Sequence, residues 1–122
     1  MKYKKSLSEC AEFISGDKVI LREILHPDKE ELKLGYSLAW FKVLPKHKSA
    51  RHSLKSSEIY FLISGNGCMH IDDETIELGP NDTVYIPPNA VQWIDNLSET
   101  ESIIALCIVD PAWKKEDEKI YS

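Results

Sequence analysis

The residues from His52 to Asn96, HSLKSSEIYFLISGNGCMHIDDETIELGPNDTVYIPPNAVQWIDN, decide the fold of this chain. Short β-branched and aromatic segments alternate there with turn residues such as Gly65-Asn66-Gly67 and Gly79-Pro80-Asn81-Asp82. Short strands at even spacing, with no helical period between them, are typical of an antiparallel sandwich or barrel. The stretch therefore predicts an all-β fold.

The strand pattern extends over most of the chain. Predicted strands lie at residues 18–25, 34–44, 58–64, 68–72, 74–78, 83–86, 92–96 and 101–109. A chain of 122 residues fits one domain with a single core. We expect that domain to span residues 1–122, with 1–16 as an N-terminal arm and 111–122 as a charged C-terminal tail that frays beyond Trp113.

Composition excludes several classes of function. A formal net charge of −5 argues against a broad basic surface for nucleic acid. The apolar runs are strand-sized and the basic start, Met1–Lys5, leads into no apolar segment, so we expect neither a membrane span nor a signal peptide. Cys10, Cys68 and Cys107 are odd in number and far apart, which favours reduced thiols in a cytoplasmic protein.

Residues 46–65 resemble the first of two motifs of the cupin family, G-x5-H-x-H-x3–4-E-x6-G. His52, Glu58 and Gly65 match this motif, whereas Lys46 stands at its opening glycine and Leu54 at its second histidine.

Residues 81–96 resemble the second cupin motif, G-x5-P-x-G-x2-H-x3-N. Pro87 and Asn96 match it, Asn81 and Asn89 replace its glycines, and Gln92 stands at its histidine. Asparagine is the residue that, after glycine, best tolerates left-handed backbone. The resemblance implies an antiparallel double-stranded β-helix, the jelly-roll cupin barrel, which is often dimeric.

The resemblance also implies a candidate metal site. In cupins, two histidines, a glutamate and a later histidine bind a divalent metal at the centre of the barrel. The corresponding ligands here are His52 and Glu58, with Gln92 as a substitute third ligand, and this set of N and O donors suits Fe, Mn, Zn or Ni. Glu58 is also the candidate catalytic proton acceptor. Strand alternation places Leu54 on the face of His52 and Tyr60 on the face of Glu58, so we expect both in the substrate pocket.

Two functions stay open at this point. The first is a metal-dependent isomerase, dioxygenase or lyase acting on a small polar molecule. The second is a metal-free module that binds a sugar or another metabolite, because Leu54 and Gln92 replace two family ligands. We also expect a homodimer, since the outer face of the barrel, with Phe41, Phe61 and Trp93 as candidates, needs cover.

Overall fold

The computed structural model describes residues 2–122 as two antiparallel β-sheets packed face to face. The six-stranded sheet has the order β1-β2-β3-β10-β5-β8, and the five-stranded sheet has the order β11-β4-β9-β6-β7. The strands are β1 (Glu12–Ile14), β2 (Ile20–Leu25), β3 (Ser37–Val43), β4 (His52–Leu54), β5 (Ser57–Ser64), β6 (Gly67–Ile71), β7 (Glu74–Leu78), β8 (Thr83–Ile86), β9 (Gln92–Asp95), β10 (Ile103–Asp110) and β11 (Glu118–Ile120). The prediction of an all-β jelly-roll barrel is confirmed.

The core lies between the two sheets and follows from strand alternation. Along β5, Glu58, Tyr60 and Leu62 are buried while Ile59 and Phe61 point outward. Inward positions of the other strands contribute the remaining core side chains, including Met69, Ile86, Ile94 and Ile103. A period of two along each strand places one set of side chains in the core and the alternate set on the outer face.

Three turns need left-handed backbone at the positions where the cupin motifs have glycine. Asn81 has φ 71°, Asn89 has φ 68° and Lys46 has φ 63°. Gly65, which the motif keeps, has φ 90°, and a Cβ there would lie 2.5 Å from the carbonyl oxygen of Ser102. The expectation that asparagine takes over a left-handed glycine position is confirmed, and Lys46 does the same with more strain.

Both ends of the chain join the sheets. The segment predicted as an arm contains a 3₁₀ helix at Leu7–Glu9 and β1, which pairs with β2. After a second 3₁₀ helix at Lys115–Asp117, β11 pairs with β4. The expectation that the tail frays beyond Trp113 is therefore wrong. The physical reason is that β4 would otherwise be an edge strand with unpaired backbone groups, which β11 satisfies.

No helix within residues 2–122 is long and apolar enough to span a membrane.

Candidate functional site

A cavity of about 240 Å³ opens between the two sheets. Its walls are mainly apolar, and its polar groups come from both sheets and from both ends of the chain. The polar side chains that line it are Ser15, Asp17, Glu23, Lys29, Ser37, His52, Glu58, Tyr60, Cys107 and Glu118.

Glu58 is the buried carboxyl of this cavity, with 6% of its surface exposed. It lies near the start of β5, opposite Ile86 of β8 and Val109 of β10. Gln92 Nε2 donates a hydrogen bond of 2.5 Å to Oε1, and the Cys107 thiol donates one of 3.4 Å to Oε2. Each carboxylate oxygen thus has one protein donor and a remaining lone pair.

Burial raises the pKa of Glu58 to about 6, because the ionised form loses its hydration. The charge of His52 and the hydrogen bonds from Gln92 and Cys107 act in the opposite direction and limit the rise. A carboxyl with this pKa gains and loses a proton close to neutral pH, which an exposed glutamate does not do.

Gln92 is hydrogen-bonded to this carboxyl but is not one of the side chains on the cavity wall. It is 1% exposed and stands directly opposite His52 in the β4–β9 pair. The Tyr60 hydroxyl donates a hydrogen bond of 3.0 Å to Oε1 of Gln92, and Nε2 of Gln92 donates one to Glu58. The chain of donors therefore runs from Tyr60 through Gln92 and ends on Glu58.

His52 lies on the five-stranded sheet, across the cavity from the sheet that carries Glu58, and is 3% exposed. Its Nδ1 lies 2.8 Å from the carbonyl oxygen of Ala50, and because a carbonyl only accepts, Nδ1 is the donor. Nε2 is the nitrogen on the cavity side, 3.4 Å from Oδ2 of Asp17. The Ala50 carbonyl thus fixes the orientation of the imidazole ring.

Three other titratable groups of the cavity, Tyr60, Cys107 and Glu118, have a raised pKa. Burial, together with the charge of Glu58, raises the pKa of Tyr60 and of Cys107 well above their ordinary values, so both stay protonated near neutral pH. Burial and the charge of Asp17 raise the pKa of Glu118. Cys107 is therefore a hydrogen-bond donor to Glu58 and not a thiolate nucleophile.

The donor set does not fit a resident metal ion in this arrangement. Gln92 uses its amide oxygen on Tyr60 and turns its NH₂ group to Glu58, so no amide oxygen faces the cavity. Within residues 2–122, no group of three His, Cys, Asp or Glu side chains is arranged to hold a metal. Gln92 is hydrogen-bonded to Glu58, and the charge of His52 acts on the same carboxyl. The role of these three residues as metal ligands stays a prediction.

The structure separates the two residues predicted for the substrate pocket. Tyr60 faces the cavity, whereas Leu54 is buried in the hydrophobic core and is not one of the side chains on the cavity wall. Phe41, predicted for the outer face, is only 4% exposed and forms part of the inner wall. That prediction is wrong, because Phe41 alternates with Trp40 and points to the core, as its own strand period requires.

Asp17, Cys107 and Glu118 line the cavity but were not among the site residues predicted from the sequence. Cys107 could have been found by alternation along β10, where it shares the inward face with Ala105 and Val109. Asp17 lies in a turn and Glu118 in a highly charged segment, and only the pairing of β1 with β2 and of β11 with β4 brings them to the cavity. No sequence signal points to either carboxylate.

Comparisons with known proteins agree with this architecture. Residues 39–109 match the sequence profile of the cupin domain family. MJ1618, an uncharacterised protein of Methanocaldococcus jannaschii, is 33% identical over 118 residues, which cover 96% of this chain and 93% of that protein. The plu4264 protein of Photorhabdus luminescens superposes with a TM-score of 0.78 at 26% identity, over 96% of this chain and 92% of that chain.

A third similar structure has a described activity. A variant of Streptomyces Pac13 solved with uridine superposes with a TM-score of 0.77 at 19% identity, over 100% of this chain and 92% of that chain. Pac13 is described as a nucleoside dehydratase. At this identity the likeness shows the fold alone.

Proposed function

This chain belongs to the cupin family, whose barrels bind or convert small molecules, and we propose that its cavity binds a small polar molecule and exchanges a proton with it through Glu58. The reaction class is an acid–base lyase or isomerase that uses no resident metal ion. The observation that carries the proposal is the placement of Glu58. It is a buried carboxyl on the cavity wall with a pKa of about 6 and one donor on each oxygen.

Proton transfer is most effective when the pKa of the catalytic group lies near the working pH. Glu58 meets this condition, and Gln92 and Cys107 hold its carboxyl plane in one orientation. The second polar group is His52, whose Nδ1 is committed to Ala50 and whose Nε2 faces the cavity side. In this proposal Glu58 moves the proton, and His52 binds the ligand or carries the second proton.

The charge of the cavity restricts the ligand. Lys29 forms an ion pair of 2.6 Å with Glu23 at the wall, which leaves the carboxylates of Asp17, Glu58 and Glu118 without a lysine or arginine partner in the cavity. An anionic ligand would meet repulsion that low dielectric strengthens. We therefore propose a neutral or cationic ligand. A volume of about 240 Å³ limits it to metabolite size, below the roughly 300–1,000 Å³ of drug-sized sites.

The described activity of Pac13 supports the reaction class. That protein has the same barrel fold and is described as a nucleoside dehydratase. Dehydration removes a proton from carbon and delivers one to a leaving hydroxyl, which a carboxyl and an imidazole can perform together. The substrate of Pac13 is not carried over to this chain.

The metal-dependent isomerase, dioxygenase or lyase implied by the family motif requires donor atoms that converge on one point. Gln92 does not supply one, because it turns its NH₂ group and not its amide oxygen to Glu58. A metal-free binding module is the second candidate, favoured by the mainly apolar walls of the cavity.

The three free thiols, Cys10, Cys68 and Cys107, support a cytoplasmic location.

A screen followed by isotope exchange tests the proposal. Neutral, cationic and anionic metabolites are screened by thermal shift with and without EDTA, and the hits are incubated with protein in D₂O and followed by ¹H NMR. We expect neutral or cationic metabolites to give a thermal shift that EDTA does not change. We also expect a C–H proton of the ligand to exchange with D₂O, at a rate that falls about 10²-fold or more in Glu58→Gln. Binding without exchange in the wild type would favour the binding module, and exchange that EDTA abolishes would sink the metal-free mechanism.

A further inference from the structure

Two carboxylates from opposite ends of the chain lie close together on the cavity wall. Asp17 is in the turn between β1 and β2, and Glu118 is the first residue of β11. Oε1 of Glu118 lies 3.2 Å from the position that a Cβ on Gly16 would take, so this carboxyl packs against the turn that carries Asp17. Burial, followed by the charge of Asp17, raises the pKa of Glu118, as expected for two like charges at close range.

The carboxylate of Asp17 is held in place by its own turn. The Ser15 hydroxyl donates a hydrogen bond of 2.5 Å to Oδ1, and the backbone carbonyl of Asp17 accepts one of 2.7 Å from the amide of Ala50. Within residues 2–122, neither Asp17 nor Glu118 forms an ion pair with a lysine or arginine. Both negative charges therefore face the cavity without a cationic side chain to balance them.

His52 is a buried polar group whose nitrogen on the cavity side lacks a hydrogen bond. The side chain is 3% exposed, and its Nδ1 donates to the carbonyl oxygen of Ala50. Nε2 lies 3.4 Å from Oδ2 of Asp17, which is beyond the usual N–H···O range of about 2.7–3.2 Å. In the neutral ring Nε2 is an acceptor, so it can receive a hydrogen bond from a ligand in the cavity.

We infer that Asp17, Glu118 and His52 form a subsite for the ammonium group of an amine ligand. A primary ammonium group carries three N–H donors and the charge that the two carboxylates lack. The apolar walls, with Phe41 and Trp113 among them, receive the carbon part of the ligand. The inference rests on the proposed function for the placement of the ligand in the cavity, and it narrows that ligand from neutral or cationic to cationic.

The spacing of the acceptors suits an ammonium group better than a metal ion. Within residues 2–122, no three His, Cys, Asp or Glu side chains are arranged to hold a metal, whose bonds to such ligands are about 2.0–2.2 Å for zinc. Charged N–H···O hydrogen bonds are about 2.7–2.9 Å long and therefore span a wider set of acceptors. The ionised carboxyls of Asp17, Glu58 and Glu118 also outnumber the single imidazole, so the cavity favours a cation even when His52 is protonated.

Titration with two probes of equal size, followed by ¹H–¹⁵N NMR, tests the subsite. The probes are 3-amino-1-propanol, an ammonium ion at neutral pH, and 1,3-propanediol, in which a hydroxyl replaces the ammonium group. We expect the wild type to bind the amine with a Kd about 10-fold or more below that of the diol.

Three variants assign this preference to residues. Asp17→Asn and Glu118→Gln keep the shape of each side chain and remove its charge, so each should raise the Kd of the amine about 10-fold. Glu116→Gln removes the same charge at an exposed position of the same C-terminal segment, and it should change the Kd by less than about 2-fold. Circular dichroism establishes that each variant is folded, and either cavity variant alone keeps the test valid where the other does not fold.

Glu58→Gln separates this inference from the proposed function. It should keep the preference for the amine, because Asp17 and Glu118 remain, although it loses proton exchange. Loss of the preference in Glu58→Gln, with no change in Asp17→Asn and Glu118→Gln, would assign the cation to Glu58 and overturn the subsite while leaving the proton transfer intact. A wild type that binds the amine no more tightly than the diol, or does not bind it measurably, would also overturn the inference.

Discussion

Gln92 Nε2 lies 2.5 Å from Oε1 of Glu58, although Gln92 belongs to the five-stranded sheet and Glu58 to the six-stranded sheet. The hydrogen bond therefore crosses the core and joins the two sheets. It also stabilises the ionised carboxylate against the cost of burial, which is one reason why the pKa of Glu58 stops at about 6. Gln92 stands where the cupin motif has a metal-binding histidine, and in this chain it orients the carboxyl of Glu58.

The first prediction concerns Glu58→Gln and the dependence of stability on pH. Burial raises the pKa of Glu58 from 4.5 to about 6, so the folded state holds more protons than the unfolded state between these values. The free energy of unfolding of the wild type then falls as the pH rises through this window, by about 2 kcal/mol for this group. We expect Glu58→Gln to lose that fall, so that its stability relative to wild type increases by about 2 kcal/mol from pH 4 to pH 7.

Urea denaturation at several pH values, at one protein concentration, measures this difference. Glu118 also has a raised pKa, but it is present in both proteins and cancels in the comparison. Parallel stability curves for the two proteins would mean that Glu58 does not titrate in this range.

The second prediction concerns the hydroxyl of Tyr60. In Tyr60→Phe the buried Oε1 of Gln92 loses its donor, and an unsatisfied buried acceptor costs about 1–2 kcal/mol. We expect that loss of unfolding free energy in urea. The matched control is Tyr3→Phe, because Tyr3 is 89% exposed and its change should stay within about 0.5 kcal/mol. Equal stability of both variants would mean that the Tyr60–Gln92 hydrogen bond makes no measurable contribution to stability.

Much of the barrel could be predicted because strand period and turn chemistry are local properties. The strand at 74–78 and the strand at 83–86 have the same bounds in the structure, and the left-handed turns fall on Asn81 and Asn89. Strands β1, β4 and β11 were not among the predicted strands, because each has three residues and no period to detect. Their existence depends on pairing with a distant partner.

The candidate site was predictable only in part for the same reason. Alternation placed Glu58 and Tyr60 on one inward face, and that placement holds. Whether Gln92 turns its oxygen or its nitrogen to Glu58 depends on the Tyr60 hydroxyl across the core, which no local pattern encodes. Asp17 and Glu118 reach the cavity through long-range pairing of the chain ends.

The third prediction explains the last residue of the second motif. Asn96 is 2% exposed, and its Nδ2 donates to the carbonyl oxygens of Val43 at 3.1 Å and Glu101 at 2.8 Å, while its Oδ1 accepts from the amide of Ser98. We expect Asn96→Ala to lower the free energy of unfolding by about 2–3 kcal/mol, because one buried and two partly buried backbone groups lose their partners at once.

Asn66→Ala in an exposed turn is the control, and it should change stability by no more than about 0.5 kcal/mol. Thermal and urea denaturation give both values. A loss below about 1 kcal/mol in Asn96→Ala would show that water replaces these bonds and that Asn96 is not a structural tie between the loops.

The fourth prediction concerns the two residues that replace family ligands. Gln92 stands directly opposite His52 in the β4–β9 pair. Leu54 is two residues after His52 in β4 and lies on the same face of that strand. The double variant Leu54→His/Gln92→His therefore adds two imidazoles beside His52 and Glu58, which restores the four-ligand set implied by the family motif. We expect near-stoichiometric zinc in the double variant after incubation and dialysis, and far less than one equivalent in the wild type.

Elemental analysis of untagged protein measures both values, with the triple variant that also carries His52→Ala as the control that should lose the metal. Stoichiometric zinc in the wild type that disappears in Gln92→Ala would mean that the amide turns its oxygen to a metal, which contradicts the donor arrangement described for Tyr60 and Glu58. Failure of the double variant to bind zinc would show that these strand positions do not converge on one point. Because wild-type affinity and the gain in the double variant depend on different residues, the two results test the site separately.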